Sequence, residues 1–69
     1  MIHAYKGASI TFHYRNWQGE ERDRTGIVDG APMWHSTEWH PDRQWLLPIV
    51  DRENGERRWF AMRDMSNIR

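Results

Sequence analysis

The stretch QWLLPIVD, residues Gln44–Asp51, decides the fold class, because its apolar run is nearly continuous. A run of this length between polar segments predicts a β-strand that is covered on both faces. Pro48 has no N–H to donate to a neighbouring strand, so we expect the strand to lie at a sheet edge or to contain a bulge at that residue. The residues expected to form the core are Trp45, Leu47, Ile49, Phe60 and Met62.

The segments around this strand carry further strand and turn signals. Asn54-Gly55 follows it closely, and Asn-Gly is a strong signal for a hairpin turn. Residues 56–63 alternate after that turn, with Arg58 and Phe60 on the same face. Residues 10–15, ITFHYR, alternate as well and predict a half-buried strand whose inner face carries Ile10, Phe12 and Tyr14.

The remaining segments complete an all-β pattern. Residues 22–28 predict a second strand in which Gly26 marks a bulge, residues 33–37 a short strand, and residues 38–43 a loop. Residues 64–69 predict one helical turn that packs Met65 and Ile68 against the core. The chain is therefore expected to form a small barrel or a strongly bent antiparallel sheet of about five strands, with at most a short C-terminal helical turn.

Length and composition limit the classes of protein to which the chain can belong. Sixty-nine residues form one domain near the lower limit for independent folding, so we expect self-association, most simply as a homodimer. The absence of cysteine excludes disulfides and zinc–thiolate sites. No stretch approaches the ~20 apolar residues of a membrane span, and the N-terminus has no apolar signal region. We therefore expect a cytoplasmic protein without a membrane partner.

The balance of charges points to a local anion site and not to a surface for duplex DNA. The formal net charge is zero, but nine of the ten basic residues are arginine and only Lys6 is lysine. Arginine favours planar, bidentate recognition of phosphate and stacks on aromatic rings. A neutral chain disfavours tight non-specific binding to duplex DNA, whereas a local arginine patch remains able to bind a small anion.

Residues 33–47, MWHSTEWHPDRQWLL, concentrate tryptophan and histidine. Such a cluster is either the core of a tiny barrel or a stacking surface for a flat ligand. Within it, His35, Glu38 and His40 can hold a loop by hydrogen bonds, contact a ligand or approach a metal; we favour the first role and predict no metal site and no cofactor. Glu38 can pair with an arginine across the sheet, accept hydrogen bonds from the amine edge of a ligand or act as a base, and of these roles we favour the pairing. No nucleophile or paired catalytic carboxylate is evident, so we predict that the chain is not an enzyme.

The order of these motifs resembles the WYL domain, a family named for a Trp-Tyr-Leu tripeptide on a core strand. The resemblance covers roughly residues 9–65 of a single domain that spans residues 1–69. Leu46 stands where the family has tyrosine, Pro48 interrupts the core strand, and no helix-turn-helix is present, so we do not expect a transcription factor acting alone. The matching residues are Ile10, Phe12, Tyr14, Arg15, Trp45, Leu47, Asp51, Arg58, Phe60 and Arg63.

The resemblance implies an SH3-like or Sm-like barrel that binds a nucleotide-like or short single-stranded nucleic-acid ligand. In the short stand-alone bacterial and phage type that this chain is similar to, it implies a sensor, a regulator or a sequestering protein of a phage or mobile element. The alternative is a protein–protein interaction module, either homo-oligomeric or partner-binding, with no small-molecule ligand. The residues predicted to bind the ligand are Tyr14, Arg15, Glu38, Trp39, His40, Arg58, Trp59 and Arg63.

Overall fold

The computed structural model describes residues 5–38 and 40–69. It is all-β, as the sequence predicts, and its one helical element is the short 3-10 turn Met62–Asp64. The six strands in chain order are β1 (Ser9–Arg15), β2 (Glu21–Val28), β3 (Met33–His35), β4 (Gln44–Asp51), β5 (Arg57–Ala61) and β6 (Met65–Ser66).

All strand pairs are antiparallel, and the sheet curls strongly into an open half-barrel. The strands follow the order β3-β4-β2-β1-β6, and β5 pairs with β4 outside that path. The hairpin predicted at Asn54-Gly55 therefore joins β4 to β5. Among the described residues β5 pairs with β4 alone, so the described sheet is open along the other edge of β5.

The strand β4 is central, and the prediction that Pro48 marks a sheet edge or a bulge is wrong. One edge of β4 pairs with β5, while the other pairs first with β3 and then with β2. Pro48 lies where the neighbour changes from β3 to β2, and its carbonyl accepts the N–H of Asp29 at 2.8 Å. Since the N–H and C=O of a strand residue point to the same side, the missing N–H falls at this junction and interrupts no continuous ladder.

The core lies on the inner face of the curled sheet and is built from residues of five strands, β1, β2, β4, β5 and β6. Ile10, Phe12 and Tyr14 are all buried, which confirms the predicted inner face of β1. The rings of Phe12, Tyr14 and Phe60 meet edge to face with centroids 4.9 to 6.0 Å apart. Leu47 and Ile49 are fully buried, and both faces of β4 are covered over most of its length, also as predicted.

The expectation that Trp45 belongs to the core is wrong, because 54% of this residue is exposed. Trp45 lies beyond the end of the core, where β4 pairs with β3. Its ring contacts Trp34, which is equally exposed, at a centroid distance of 5.6 Å. Met62 is only partly buried, although it does pack against the core.

The C-terminal segment packs back onto the core, but the helical turn comes earlier than predicted. The 3-10 turn occupies Met62–Asp64, and Met65 already belongs to β6, which pairs with β1. Met65 and Ile68 contact the core, which confirms their predicted packing. Gly26 forms no bulge, since it is in regular register with Ile10 and with Asp51. No helix in the described part of the chain has the length and apolar character to cross a membrane.

Candidate ligand-binding cleft

A cleft of about 670 Å³ runs along the open edge of β5, and we call it the β5 cleft. Arg57 and Trp59 point to one face of this strand and Arg58 and Phe60 to the other, yet all four line the cleft. The cleft must therefore lie beyond the edge of β5 that faces away from β4. The volume is typical of pockets for small ligands. The other lining residues are Tyr14, Asn16, Trp17, Arg24, Thr37, Glu38, His40 and Glu56.

Five of the eight residues predicted to bind the ligand line the β5 cleft. Arg15 and Arg63 are exposed but do not line it. Trp39 lies outside the described residues. The five residues that the fold brings together are Tyr14, Glu38, His40, Arg58 and Trp59.

Tyr14 supports the cleft from within the core. The residue is only 5% exposed, and its hydroxyl oxygen accepts the backbone N–H of Ala61 at 3.0 Å. Burial raises the pKa of this phenol, so the hydroxyl stays protonated at neutral pH. The bond joins the end of β5 to β1 across the open side of the half-barrel and holds one end of the cleft in place.

Of the three arginines that line the β5 cleft, two are held by carboxylates. Arg57 donates to Asp29 at 2.6 Å, and Arg24 donates to the buried carboxylate of Asp51 at 3.1 Å. Among the described residues, no carboxylate forms an ion pair with Arg58. The exposed guanidinium of Arg58 is therefore the cation in this cleft that is open to an anionic ligand.

Aromatic rings surround these guanidinium groups. The Cζ atom of Arg58 lies 5.8 Å from the ring centroid of Phe60, and that of Arg57 lies 4.8 Å from the ring of Trp59. Trp59 is half-buried and also meets the ring of His35 edge to face at 4.7 Å. Trp17 lines the cleft as well and is 60% exposed. The cleft thus combines stacking surfaces with a cation, as a nucleotide requires.

Carboxylates at the cleft limit the negative charge that it can accept. Glu38 and Glu56 line it, and neither forms an ion pair with a described cation, so the arginine partner expected for Glu38 is not found there. These carboxylates repel the negative charges of a bound ligand, and the repulsion grows with the number of charges that the ligand carries. The cleft therefore favours a ligand with one phosphate near Arg58 over a long polyanion.

The histidines of the HSTEWH segment do not converge on a common point. The Nδ1 atom of His35 lies 3.0 Å from the carbonyl oxygen of Ser36, while His40 lines the cleft and its backbone N–H bonds to Thr37. Burial lowers the pKa of His40, with Asp64 opposing and Arg63 reinforcing this shift. In the part of the chain that is described, no three histidine or acidic side chains group to hold a metal ion.

His13 and His40 predict opposite pH dependences of stability. Hydrogen bonds to Asp23 and Glu21 raise the pKa of His13 above 6.5. The stability that protonated His13 contributes to the folded state is therefore complete below pH 6.5, and it is lost as the pH rises through the raised pKa. The lowered pKa of His40 makes its contribution complete above pH 6.5 and reduces it as the pH falls through the lowered value.

Thermal unfolding of His13→Gln and His40→Gln between about pH 5 and pH 8 checks these signs. Relative to the unsubstituted chain, His13→Gln should be most destabilised at the acidic end of this range. His40→Gln should gain stability relative to the unsubstituted chain as the pH falls. Parallel curves for the three proteins would show that neither histidine is coupled to folding in this way.

Sequence reasoning missed Arg24, Arg57 and Trp17 as residues of the cleft. The alternation of residues 56–63 places Arg57 and Arg58 on opposite faces, and only the open edge of β5 lets both line one cleft. The one usable signal was the Asn-Gly turn, which pairs this strand with its predecessor and leaves its other edge undetermined.

No protein-family model matches the chain, and no curated protein or solved structure matches it either.

Proposed function

We propose that this protein is a non-enzymatic binding module that takes a nucleotide-like ligand, or the end of a short single strand, in the β5 cleft. The observation that carries the proposal is the guanidinium of Arg58, which has no carboxylate partner among the described residues and lies in a cleft lined by aromatic rings. A guanidinium binds phosphate with two parallel hydrogen bonds, and one base–aromatic stack contributes ~1–3 kcal/mol. The motif resemblance to WYL domains supports the same ligand class.

Titration of the protein with nucleoside mono-, di- and cyclic phosphates tests this proposal. At 100 times its dissociation constant a ligand should add ~2.7 kcal/mol to the free energy of unfolding, which is visible as a rise in melting temperature. Arg58→Gln should weaken binding by about 10-fold or more, because it removes a charge-assisted hydrogen bond worth ~1.5–3 kcal/mol. Arg63→Gln removes an exposed arginine outside the cleft, and this variant should bind as the unsubstituted chain does.

Two results would overturn the proposal. A melting temperature that stays constant across the whole panel at millimolar ligand would show that no nucleotide binds. Equal losses of affinity in Arg58→Gln and Arg63→Gln would show that charge alone, and not the cleft, attracts the nucleotide.

A second candidate function, binding of a partner protein or of a second copy, is favoured by a separate observation. Trp34 and Trp45 form an exposed ring pair, and Met33 beside them is 51% exposed. Aromatic residues and methionine are enriched at protein interfaces. The two candidate functions give different results. Partner binding or self-association predicts a molecular mass in solution that rises with protein concentration or on addition of the partner, and it predicts no response to nucleotides.

A further inference from the structure

The backbone of β5 exposes hydrogen-bonding groups toward the β5 cleft. The carbonyl of Pro48 bonds to Asp29, so the backbone of Pro48 faces β2, and that of its neighbour Ile49 faces β5. Ile49 pairs with Arg58, and the N–H and C=O of Arg58 are therefore turned toward β4. By the same alternation, the N–H and C=O of the residues on either side of Arg58 point away from β4 and into the cleft.

This open edge is two residues long and closed at both ends. At its far end the N–H of Ala61 donates to the hydroxyl of Tyr14 at 3.0 Å. At its near end the chain enters the turn back to β4, where the N–H of Gly55 donates to the carbonyl of Asp51 at 2.7 Å. Between these ends, the outward N–H and C=O groups of Arg57 and Trp59 bond to no described residue. Unpaired backbone groups at a binding cleft are available to a ligand.

The order of these groups along the edge defines the ligand that fits. The C=O of Arg57 is followed on the same side of the strand by the N–H of Trp59, so an acceptor lies next to a donor. Adenine and cytosine present an amino donor beside an unprotonated ring nitrogen on one edge, which is the complementary pattern. A base in the plane of the sheet has Trp59 on one side and Arg58 on the other, since neighbouring side chains of a strand point to opposite faces.

A nucleobase suits this edge better than an added peptide strand. Strand addition depends on a row of main-chain hydrogen bonds, and here the row ends after two residues because Tyr14 and Asp51 hold the flanking groups. A planar base needs only the two adjacent groups and uses the aromatic walls that a peptide backbone would leave uncovered.

We infer that the β5 cleft selects a nucleobase with an amino group beside a bare ring nitrogen, read by the backbone C=O of Arg57 and N–H of Trp59. The inference rests on the proposed function and specifies its ligand class. The main chain of β5 then recognises the base, whereas the side chain of Arg58 binds the phosphate. Substitution of the Arg57 side chain should leave the choice of base unchanged.

The test compares adenosine 5′-monophosphate, its N6,N6-dimethyl derivative and ribose 5-phosphate by calorimetry on the full chain. The dimethyl derivative keeps the ring and the phosphate but has no amino hydrogen. We expect it to bind about 10-fold more weakly or worse, because one buried hydrogen bond is lost and a carbonyl is left unsatisfied. Ribose 5-phosphate should bind far more weakly than either nucleotide. Arg57→Ala should retain the preference for the unmethylated base.

The outcomes separate this inference from the proposed function. If both nucleotides bind equally and Arg58→Gln weakens both, the backbone reading is wrong and the nucleotide site stands. If Arg57→Ala abolishes the preference for the unmethylated base, a side chain and not the main chain makes the selection. If no nucleotide binds, the proposed function fails and this inference fails with it.

Discussion

Replacement of Gly26 by alanine should destabilise the protein by about 3 kcal/mol or more, which is a large part of the stability of a domain this small. A Cβ atom at this position would lie 2.6 Å from the carbonyl oxygen of Val50 and would overlap the Cγ2 atom of Ile49. Neither neighbour can move away easily, because the β4 backbone at these residues is paired with β2 on one side and with β5 on the other.

Gly30→Ala is the matched control for this substitution. Its Cβ would lie 3.3 Å from the Cγ atom of Pro48, so a shift of a few tenths of an ångström relieves the contact and the cost should be within about 1 kcal/mol. Thermal unfolding measures the loss of stability in both variants, because a loss of 1 kcal/mol lowers the melting temperature of such a domain by about 4–8 °C. If Gly26→Ala melts within about 4 °C of the unsubstituted chain, β2 and β4 do not approach each other as closely as the structure shows.

Replacement of Asp51 by alanine should cost about 3–5 kcal/mol, because it leaves a largely buried arginine without its counter-charge. Asp51 is 1% exposed, and one of its carboxylate oxygens accepts a hydrogen bond from Arg24, whose side chain is 11% exposed. The other oxygen accepts the backbone N–H of Glu53 at 2.9 Å and thereby shapes the turn that leads into β5.

An exposed ion pair of the same chemistry provides the comparison. Asp29 and Arg57 are 37% and 48% exposed, so Asp29→Ala should cost at most about 1 kcal/mol. Denaturant unfolding gives the loss of stability in Asp51→Ala, Asp29→Ala and Arg24→Ala, and in the double variant that combines Arg24→Ala with Asp51→Ala. The double variant should lose clearly less than the sum of its single variants, because Arg24 no longer leaves a charge behind. Strict additivity would show that Asp51 acts through the turn alone and not through Arg24.

The strands were predictable because their signals are local. Alternation in β1 and the Asn-Gly turn after β4 depend only on residues near in sequence, and the structure confirms both. The place of Pro48 was not predictable in the same way, because a proline reveals a missing N–H but not which neighbour the N–H would have met. The prediction that Trp45 belongs to the core was wrong for a related reason. The alternation along a strand indicates which face an apolar residue occupies, but not whether the core extends as far as that residue.

The candidate site was predictable in part. Trp59 and Arg58 follow from the aromatic and arginine content of the last long strand, and Tyr14 from the first. Arg57 was missed because its role depends on which edge of β5 remains open, a property of the whole sheet. Arg24 was missed because its position beside Asp51 depends on the register between β2 and β4.

We propose above all that the open edge of β5 and the guanidinium of Arg58 form one ligand site. A titration of the ¹⁵N-labelled protein with adenosine 5′-monophosphate, followed by ¹H–¹⁵N correlation spectra, tests this claim most directly. The backbone amide of Trp59 and the side-chain Nε–H of Arg58 should shift together with a single dissociation constant, while the amide of Ile27 on β2 stays in place. Shifts that leave Trp59 and Arg58 unchanged, or that spread evenly over exposed amides, would contradict the account.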